Sequence, residues 1–320
     1  MGYLFQQQQK EGETVIYTCT LNTAIDLYVE LEELIPDSVN RTFDEDYQPN
    51  GKGVNVSIML KRLGIESVAL GFIAGFTGKY IEDSLREMDI QTDFVEVDGI
   101  TRVNVFINST EEYKIVNQGP VIQLAEQKLL LNKIKEIPTG SMLVLSGSLP
   151  KGVPDSIIVD IAKTCQTQGI QLVLDTSVDT VADTLIYRPF LLKPNEEEVA
   201  DILKKKKPLS EEGLIECGNE LLQRGAQQVI ISRGKNGALY FSQDDLLKVT
   251  SPQGKVVNTA CSGDSMLATF IGKRLQDRTI GDALSQAVAV GASTAFSKGL
   301  SDLKDIPDLL KQVTITNYKG

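Results

Sequence analysis

Residues 142–175, MLVLSGSLPKGVPDSIIVDIAKTCQTQGIQLVLD, decide the fold. The opening run at 142–146 is short and apolar without alternation, as a strand buried on both faces reads. Gly147, Pro150 and Gly152 then break the chain, and residues 154–168 carry a helical pattern. Residues 172–175 return to a short apolar strand. Strand, helix and strand in that order make a parallel pair with a crossover helix.

The same alternation extends in both directions. Downstream, strands are predicted at 190–192 and 229–232, and a late hairpin at 238–241 and 246–249. Helices are predicted at about 178–185, 196–203, 264–276 and 280–297. Upstream, 15–20 and 67–72 read as strands, and 53–63 and 79–88 as helices. The fold class is therefore α/β, a mostly parallel sheet covered on both faces. Residues 27–48 and 102–117 stand apart. They alternate with period two, as in Val103, Val105 and Ile107. Half-exposed antiparallel strands give this pattern, so a small second sheet is expected there as a lid. Residues 1–13, MGYLFQQQQKEGE, read as a tail or cloning remnant before a domain spanning 14–320. The lysine run at 204–207 reads as solvated charge after a helix.

Composition excludes several chemistries. The 320 residues hold 32 Lys+Arg against 43 Asp+Glu, a formal net charge of -11, and no histidine. Without histidine no Ser-His-Asp triad, Cys-His pair or His-ligated zinc can form. A general base must be Asp, Glu, Lys, Tyr or Cys. The acidic balance argues against nucleic acid and anionic membrane as partners. Cys19, Cys165, Cys217 and Cys261 include no CxxC pair, which fits a reduced, cytoplasmic protein. No apolar run approaches the roughly 18 residues of a membrane span. Walker A and Rossmann glycine fingerprints are both missing, which disfavours a P-loop NTPase and a typical NAD dehydrogenase.

Three loops carry candidate chemistry. Ala260-Cys261-Ser262-Gly263-Asp264 precedes a clear helix. Small residues at a helix N-terminus make an anion hole, with Asp264 at its mouth as base or as a plain cap. Gly51-Lys52-Gly53-Val54-Asn55 opens another helix, either as a sugar-hydroxyl site or as a simple turn. In Lys193-Pro194-Asn195-Glu196-Glu197-Glu198, Asn195 and Glu198 share one helix face. That pair suits a hydrated Mg²⁺, or equally a capping box.

Together these motifs resemble the ribokinase-like carbohydrate kinases of the PfkB type, over residues 15 to about 310. Ser146-Gly147-Ser148-Leu149-Pro150 and Leu21-Asn22-x-Ala24-Ile25-Asp26 resemble the hexose-phosphate branch, which holds 1-phosphofructokinase, tagatose-6-phosphate kinase and the minor 6-phosphofructokinase. The resemblance implies a ribokinase-like three-layer α/β/α fold, ATP and Mg²⁺ as cofactors, and a sugar phosphate as acceptor. It implies Asp264 as base and Ala260, Cys261, Ser262 and Gly263 as the anion hole. Asp26, Gly51, Lys52 and Asn55 would meet sugar hydroxyls, and Arg102 and Ser148 the sugar's own phosphate. Lys193, Asn195, Ser232, Gly234 and Gly237 would lie by the nucleotide, with Asn195 and Glu198 holding Mg²⁺ through water. The lid would also pair two copies into a homodimer.

The Thr101-Arg102-x-Asn104 strand and the G-S-L-P-x-G loop resemble 1-phosphofructokinase slightly more, so fructose 1-phosphate is the expected acceptor, ahead of tagatose 6-phosphate. A non-catalytic sugar-phosphate-binding protein is the rival class. Two departures from the family pattern stand out, Cys261 where glycine is usual and Thr23 where proline is common. Asp264 is expected to ionise without special tuning. A thiol at a helix N-terminus can ionise readily, which makes Cys261 a candidate for ATP-protected alkylation, but the favoured reading is a buried, unreactive small residue.

Overall fold

The computed structural model describes residues 14–318. The tail read over 1–13 lies outside them. In chain order the first half holds β1 (Ile16–Thr20), β2 (Ala24–Glu30), β3 (Asp44–Asn50), α1 (Lys52–Arg62), β4 (Ser67–Ala74), α2 (Gly75–Glu87), β5 (Gln91–Thr92), β6 (Val95–Val97), β7 (Arg102–Asn108), β8 (Glu112–Ile115) and α3 (Leu124–Lys135). Then come β9 (Met142–Ser146), α4 (Ser156–Gln168), β10 (Gln171–Asp175), α5 (Val181–Thr184), β11 (Leu191–Leu192), α6 (Glu196–Ile202), α7 (Glu211–Arg224), β12 (Val229–Ser232), β13 (Ala238–Phe241), β14 (Leu246–Val249), α8 (Ser262–Leu275), α9 (Ile280–Ala295), α10 (Ile306–Leu310) and β15 (Ile315–Asn317).

The large sheet runs β15-β14-β13-β12-β11-β10-β9-β1-β4-β5, with β6 also on β4. From β12 to β5 the pairings are parallel, and β13 to β15 add an antiparallel edge. Side-chain alternation explains why the strands read as unbroken apolar runs. Leu143, Leu145, Leu172 and Leu174 pack into one core with residues of α3, α4, α6 and α7. Met142, Val144 and Val173 face the opposite core, made with α1, α8 and α9. Each strand thus supplies two cores, and the three-layer α/β/α expectation holds.

The second sheet has the order β3-β2-β7-β8. Its β2–β3 and β7–β8 pairs are antiparallel, but β2 and β7 run parallel. This corrects the antiparallel reading: period-two alternation reports which face is exposed and carries no information about strand direction. β2 also begins at Ala24, three residues before the predicted start. The helix predicted at 79–88 starts at Gly75, and the one predicted at 264–276 starts at Ser262. The lysine run behaves as surface charge, with Lys205 paired to Glu220 and Lys207 to Asp201.

β1 pairs with β4 on one side and β9 on the other, so the strand order reverses at β1. Open α/β sheets bind ligands outside the carboxyl ends of strands at such a switch point. There Thr20 is in register with Ser146, and Ser146 with Asp175.

Candidate active site

Two helix starts converge on this edge. α1 begins behind Gly51, whose φ is +132°, and an added Cβ would lie 2.5 Å from Thr20 Cγ2. Thr20 Oγ1 accepts the Val54 N–H at 3.0 Å, which fixes the loop on the end of β1. α8 begins behind Cys261, in the left-handed region at φ +62°. Neither helix has a side-chain cap on its N-cap residue; Thr20 takes the Val54 N–H of α1, while the first turn of α8 keeps its N–H groups open to an anion.

Asp264 is buried in the first turn of α8. Its Oδ2 accepts from Asn55 Nδ2 at 2.8 Å, and the same amide lies 3.2 Å from Cys261 Sγ. Burial pushes the Asp264 carboxyl up to about 6, and the nearby Asp175 charge adds to the rise against Lys52 and Lys193. The expectation of an untuned carboxylate is thus corrected: little water reaches the group and a like charge sits behind it. At Cys261 the favoured reading of an unreactive thiol is supported against the reactive one. Burial, then the charges of Asp264 and Asp26, push its thiol well above the ordinary value despite the helix start.

Behind Asp264 lies a charged triad. Asp175 Oδ1 takes Lys52 Nζ and Lys193 Nζ, each at 3.2 Å. Burial alone would raise the Asp175 carboxyl, but Lys193 and Lys52 outweigh it and hold it below the usual range. In turn the Asp175 charge raises Lys52. Asp175 Oδ2 is buried without a hydrogen-bond partner. Asp175, Lys52, Lys193, Asn195, Glu198 and Ser232 join Ala260, Cys261, Gly263 and Asp264 around a cavity of about 350 Å³.

A second cavity of about 260 Å³ adjoins it, sharing Asn50 and Lys52. Arg102, Ser148, Asn22, Asn104 and Gly51 are among its walls. The Arg102 guanidinium donates to the carbonyls of Asn22, Asn117 and Thr23, which sets its plane. Burial holds Arg102 somewhat below its ordinary value, opposed by Asp26. Asp26 is buried beside this cavity, and burial raises its carboxyl against hydrogen bonds from Asn104 and Asn50.

On the other side, Asn195 caps α6. Its Oδ1 accepts the N–H groups of Glu197 and Glu198, and Glu198 Oε2 accepts the Asn195 N–H, a complete capping box. Both residues also line the larger cavity, so the capping box does not take them out of reach of a ligand. Gly234 and Gly237 sit in the turn beyond Ser232 and line neither cavity. Gly237 serves packing: a Cβ there would fall 1.8 Å from Val249 O. Ser262 is likewise off both walls, with its hydroxyl oxygen buried and unpartnered. Arg233 clamps this side by pairing with Glu196 of α6 and Glu211 of α7.

Sequence reasoning missed Asp175, which it placed only as a strand end, and gave Asn50 no role. A polar residue closing an apolar strand at the carboxyl edge was the available signal for Asp175.

The profile of the pfkB family of carbohydrate kinases matches residues 17–307. A D-tagatose-1-phosphate kinase of Bacillus licheniformis is 55% identical over 303 residues, 95% of this chain and 100% of its own length. A 1-phosphofructokinase of Bacillus subtilis is 36% identical over 302 residues, 94% of this chain and 99% of that one. Among solved structures, phosphofructokinase-2 from Escherichia coli in complex with substrates and products superposes with a TM-score of 0.86 at 26% identity, covering 93% of this chain and 99% of that chain.

Proposed function

The chain belongs to the pfkB family of carbohydrate kinases, and from that premise we propose that it transfers the γ-phosphoryl group of ATP to the 6-hydroxyl of a ketohexose 1-phosphate. One observation carries the reading. The buried Asp264 carboxylate, held by Asn55, faces a cavity rimmed by lysines that opens past Asn50 and Lys52 into a second cavity bearing Arg102. One space suits the nucleotide phosphates and the other a phosphorylated sugar.

Phosphoryl transfer has a loose transition state, so positioning and charge balance dominate. Asp264 accepts the proton of the attacking hydroxyl. Held near 6, it is still mostly ionised at neutral pH yet more basic than an ordinary carboxylate. Lys52, Lys193 and the open start of α8 offset phosphate charge. Arg102 and Ser148 hold the phosphate already on the sugar. Asn195 and Glu198 fit Mg²⁺ held through water, because the second Glu198 oxygen takes no part in the cap and hard oxygens suit that ion. When bound, the ion would neutralise charge on the transferring phosphate.

The acceptor follows from which end of the sugar is already taken. D-tagatose 1-phosphate and D-fructose 1-phosphate are C4 epimers, and both leave the primary 6-hydroxyl free. The names of the relatives support the first ahead of the second; the sequence reading had weighed only the second. Tagatose 6-phosphate would be phosphorylated at the opposite end. The second sheet acts as the lid and excludes water on closure. Val39 and Phe43, exposed on the loop between β2 and β3, support pairing of two copies there. Among the described residues no helix is long and apolar enough to cross a membrane, and we place the enzyme in the cytoplasm.

A coupled ADP-release assay tests the proposal across tagatose 1-phosphate, fructose 1-phosphate, tagatose 6-phosphate, fructose 6-phosphate and free sugars. The 1-phosphates should give the highest kcat/KM. Preference for a 6-phosphate would overturn the acceptor assignment, and no ADP with any acceptor would favour the binding protein.

A further inference from the structure

Asn50, the last residue of β3, lies on the shared wall of both cavities. Its Nδ2 donates to Asp26 Oδ2. Its Oδ1 accepts the Gly51 N–H and, at 2.9 Å, Asn55 Nδ2. The orientation of the amide is fixed by its partners, since a carboxylate only accepts and a backbone N–H only donates. Asn55 then passes its remaining N–H to Asp264 Oδ2 at 2.8 Å. On the far side, Asp26 Oδ1 accepts Asn104 Nδ2 at 2.8 Å, and Asn104 Oδ1 accepts the Asn117 N–H at 3.2 Å.

These links form one continuous chain, Asn104–Asp26–Asn50–Asn55–Asp264. It runs from β7 and β2 in the second sheet, through β3, to α1 and the start of α8. Asp26, Asn55, Asn104 and Asp264 are all buried, so a lost link leaves a buried polar group short of a partner. Asn50 is the joint between the two halves, because among the described residues it alone hydrogen-bonds to both Asp26 and Asn55.

We infer that Asn50 is a positioning residue, whose carboxamide ties the acceptor-side carboxylate Asp26 to the base Asp264 through Asn55, so that the second sheet and the base are set in register together. The inference rests on the reading of Asp264 as base. Asn50 need not touch the reacting atoms. Without it, Asn55 loses an acceptor and can turn away from Asp264, while Asp26 loses a donor and can turn away from the sugar.

Two variants separate the halves of the joint. N50A removes both links. N50D keeps an acceptor for Asn55 and the Gly51 N–H but loses the donor to Asp26. With the best acceptor, N50A should lower kcat about tenfold or more and raise the acceptor KM, leaving the ATP KM within about twofold. N50D should regain much of kcat while its acceptor KM stays high. Should N50A fail to fold, N50S, whose single hydroxyl cannot reach both partners, reads the same split. The inference is overturned if kcat and acceptor KM stay at wild-type values in N50A or N50S, if only the ATP KM moves, or if N50D loses as much kcat as N50A. D264N, measured alongside, separates the two readings. An active D264N removes the base assignment and this inference with it, whereas an inactive D264N beside an unaffected N50A removes the inference alone.

Discussion

The loop before α1 and the loop before α8 both bring small residues and an uncapped helix start to the same cavity, yet their glycines answer to different neighbours. At Gly51 and Gly53 an added Cβ would meet Thr20 at 2.5 and 2.6 Å, and at Gly53 also the Cys19 carbonyl carbon at 3.0 Å. At Gly263 the only atom so close among the described residues is Lys193 Nζ, at 3.1 Å, the far end of a side chain that Asp175 holds. Cys261 even carries a Cβ at φ +62°. The first loop is therefore pressed onto the end of β1, where glycine serves the fold. The second rests on α9, where a Cβ at Gly291 would come 3.1 Å from Ser262 O, while Gly263 itself faces only the end of Lys193 among the described residues and leaves space for a ligand. Small residues opening a helix thus have a packing cause at Gly51 and Gly53 and leave ligand space at Gly263.

The largest effect should come from the second loop. Asp264→Asn should lower kcat by roughly 10²–10⁴, the usual share of a positioned general base. Its stability should move the other way. The carboxyl is held above its ordinary value, so its ionised form costs the native state free energy above pH of about 6, and that cost fades below it. The thermal midpoint of Asp264→Asn should thus exceed wild type at pH 8, with the gap shrinking as pH falls through about 6 and closing only below about pH 4. A lower midpoint at pH 8 would contradict the assigned burial.

Next is the paired glycine test. Gly51→Ala should destabilise by about 2 kcal/mol or more, because it combines a positive φ with a close contact to Thr20. Gly263→Ala should leave the thermal midpoint nearly unchanged and instead reduce turnover by displacing Lys193. If both variants unfold alike, or neither does, the contrast between the loops fails.

A smaller shift is expected from the triad behind the loops. Asp175→Asn removes the like charge that helps raise Asp264 and leaves Lys52 and Lys193 facing it. The acid limb of kcat/KM, expected near pH 6 in the wild type, should move to lower pH. An upward move would show that Asp175 does not act through charge. Smallest of all, Cys261→Gly relieves a left-handed Cβ and should change activity by less than about twofold, with any stability gain below about 1 kcal/mol.

Much of this was legible before any coordinates. The central strands were readable because each is buried on both faces, so Met142–Ser146 and Val229–Ser232 stand as apolar runs. The loops around Lys52, Lys193 and Asp264 each had a plain structural reading as turn, cap or capping box, and only their combination, through the family resemblance, pointed to a site. Helices α3 and α7 went unassigned. α3 leaves Leu124 and Leu129 exposed and buries Gln127, which blurs its stripe. α7 did carry a signal, with Ser210 before it, Gly225 after it, and Leu214, Cys217, Gly218 and Leu221 buried at helical spacing. What the sequence could not supply was pairing between distant groups. Asp175 meets Lys52 across 123 positions and Asn55 meets Asp264 across 209, and no local pattern encodes either encounter. The tuning of Asp264 depends on burial and on Asp175, and was therefore not legible in the sequence.

The central claim is that Asp264 activates the 6-hydroxyl of a ketohexose already phosphorylated at C1. Phosphorus NMR of the reaction of ATP with tagatose 1-phosphate or fructose 1-phosphate tests it directly. The account predicts one new phosphomonoester coupled to the C6 protons, formed by the wild type and lost in Asp264→Asn. A new phosphate elsewhere on the sugar, or the same product formed at a near wild-type rate by Asp264→Asn, would contradict it.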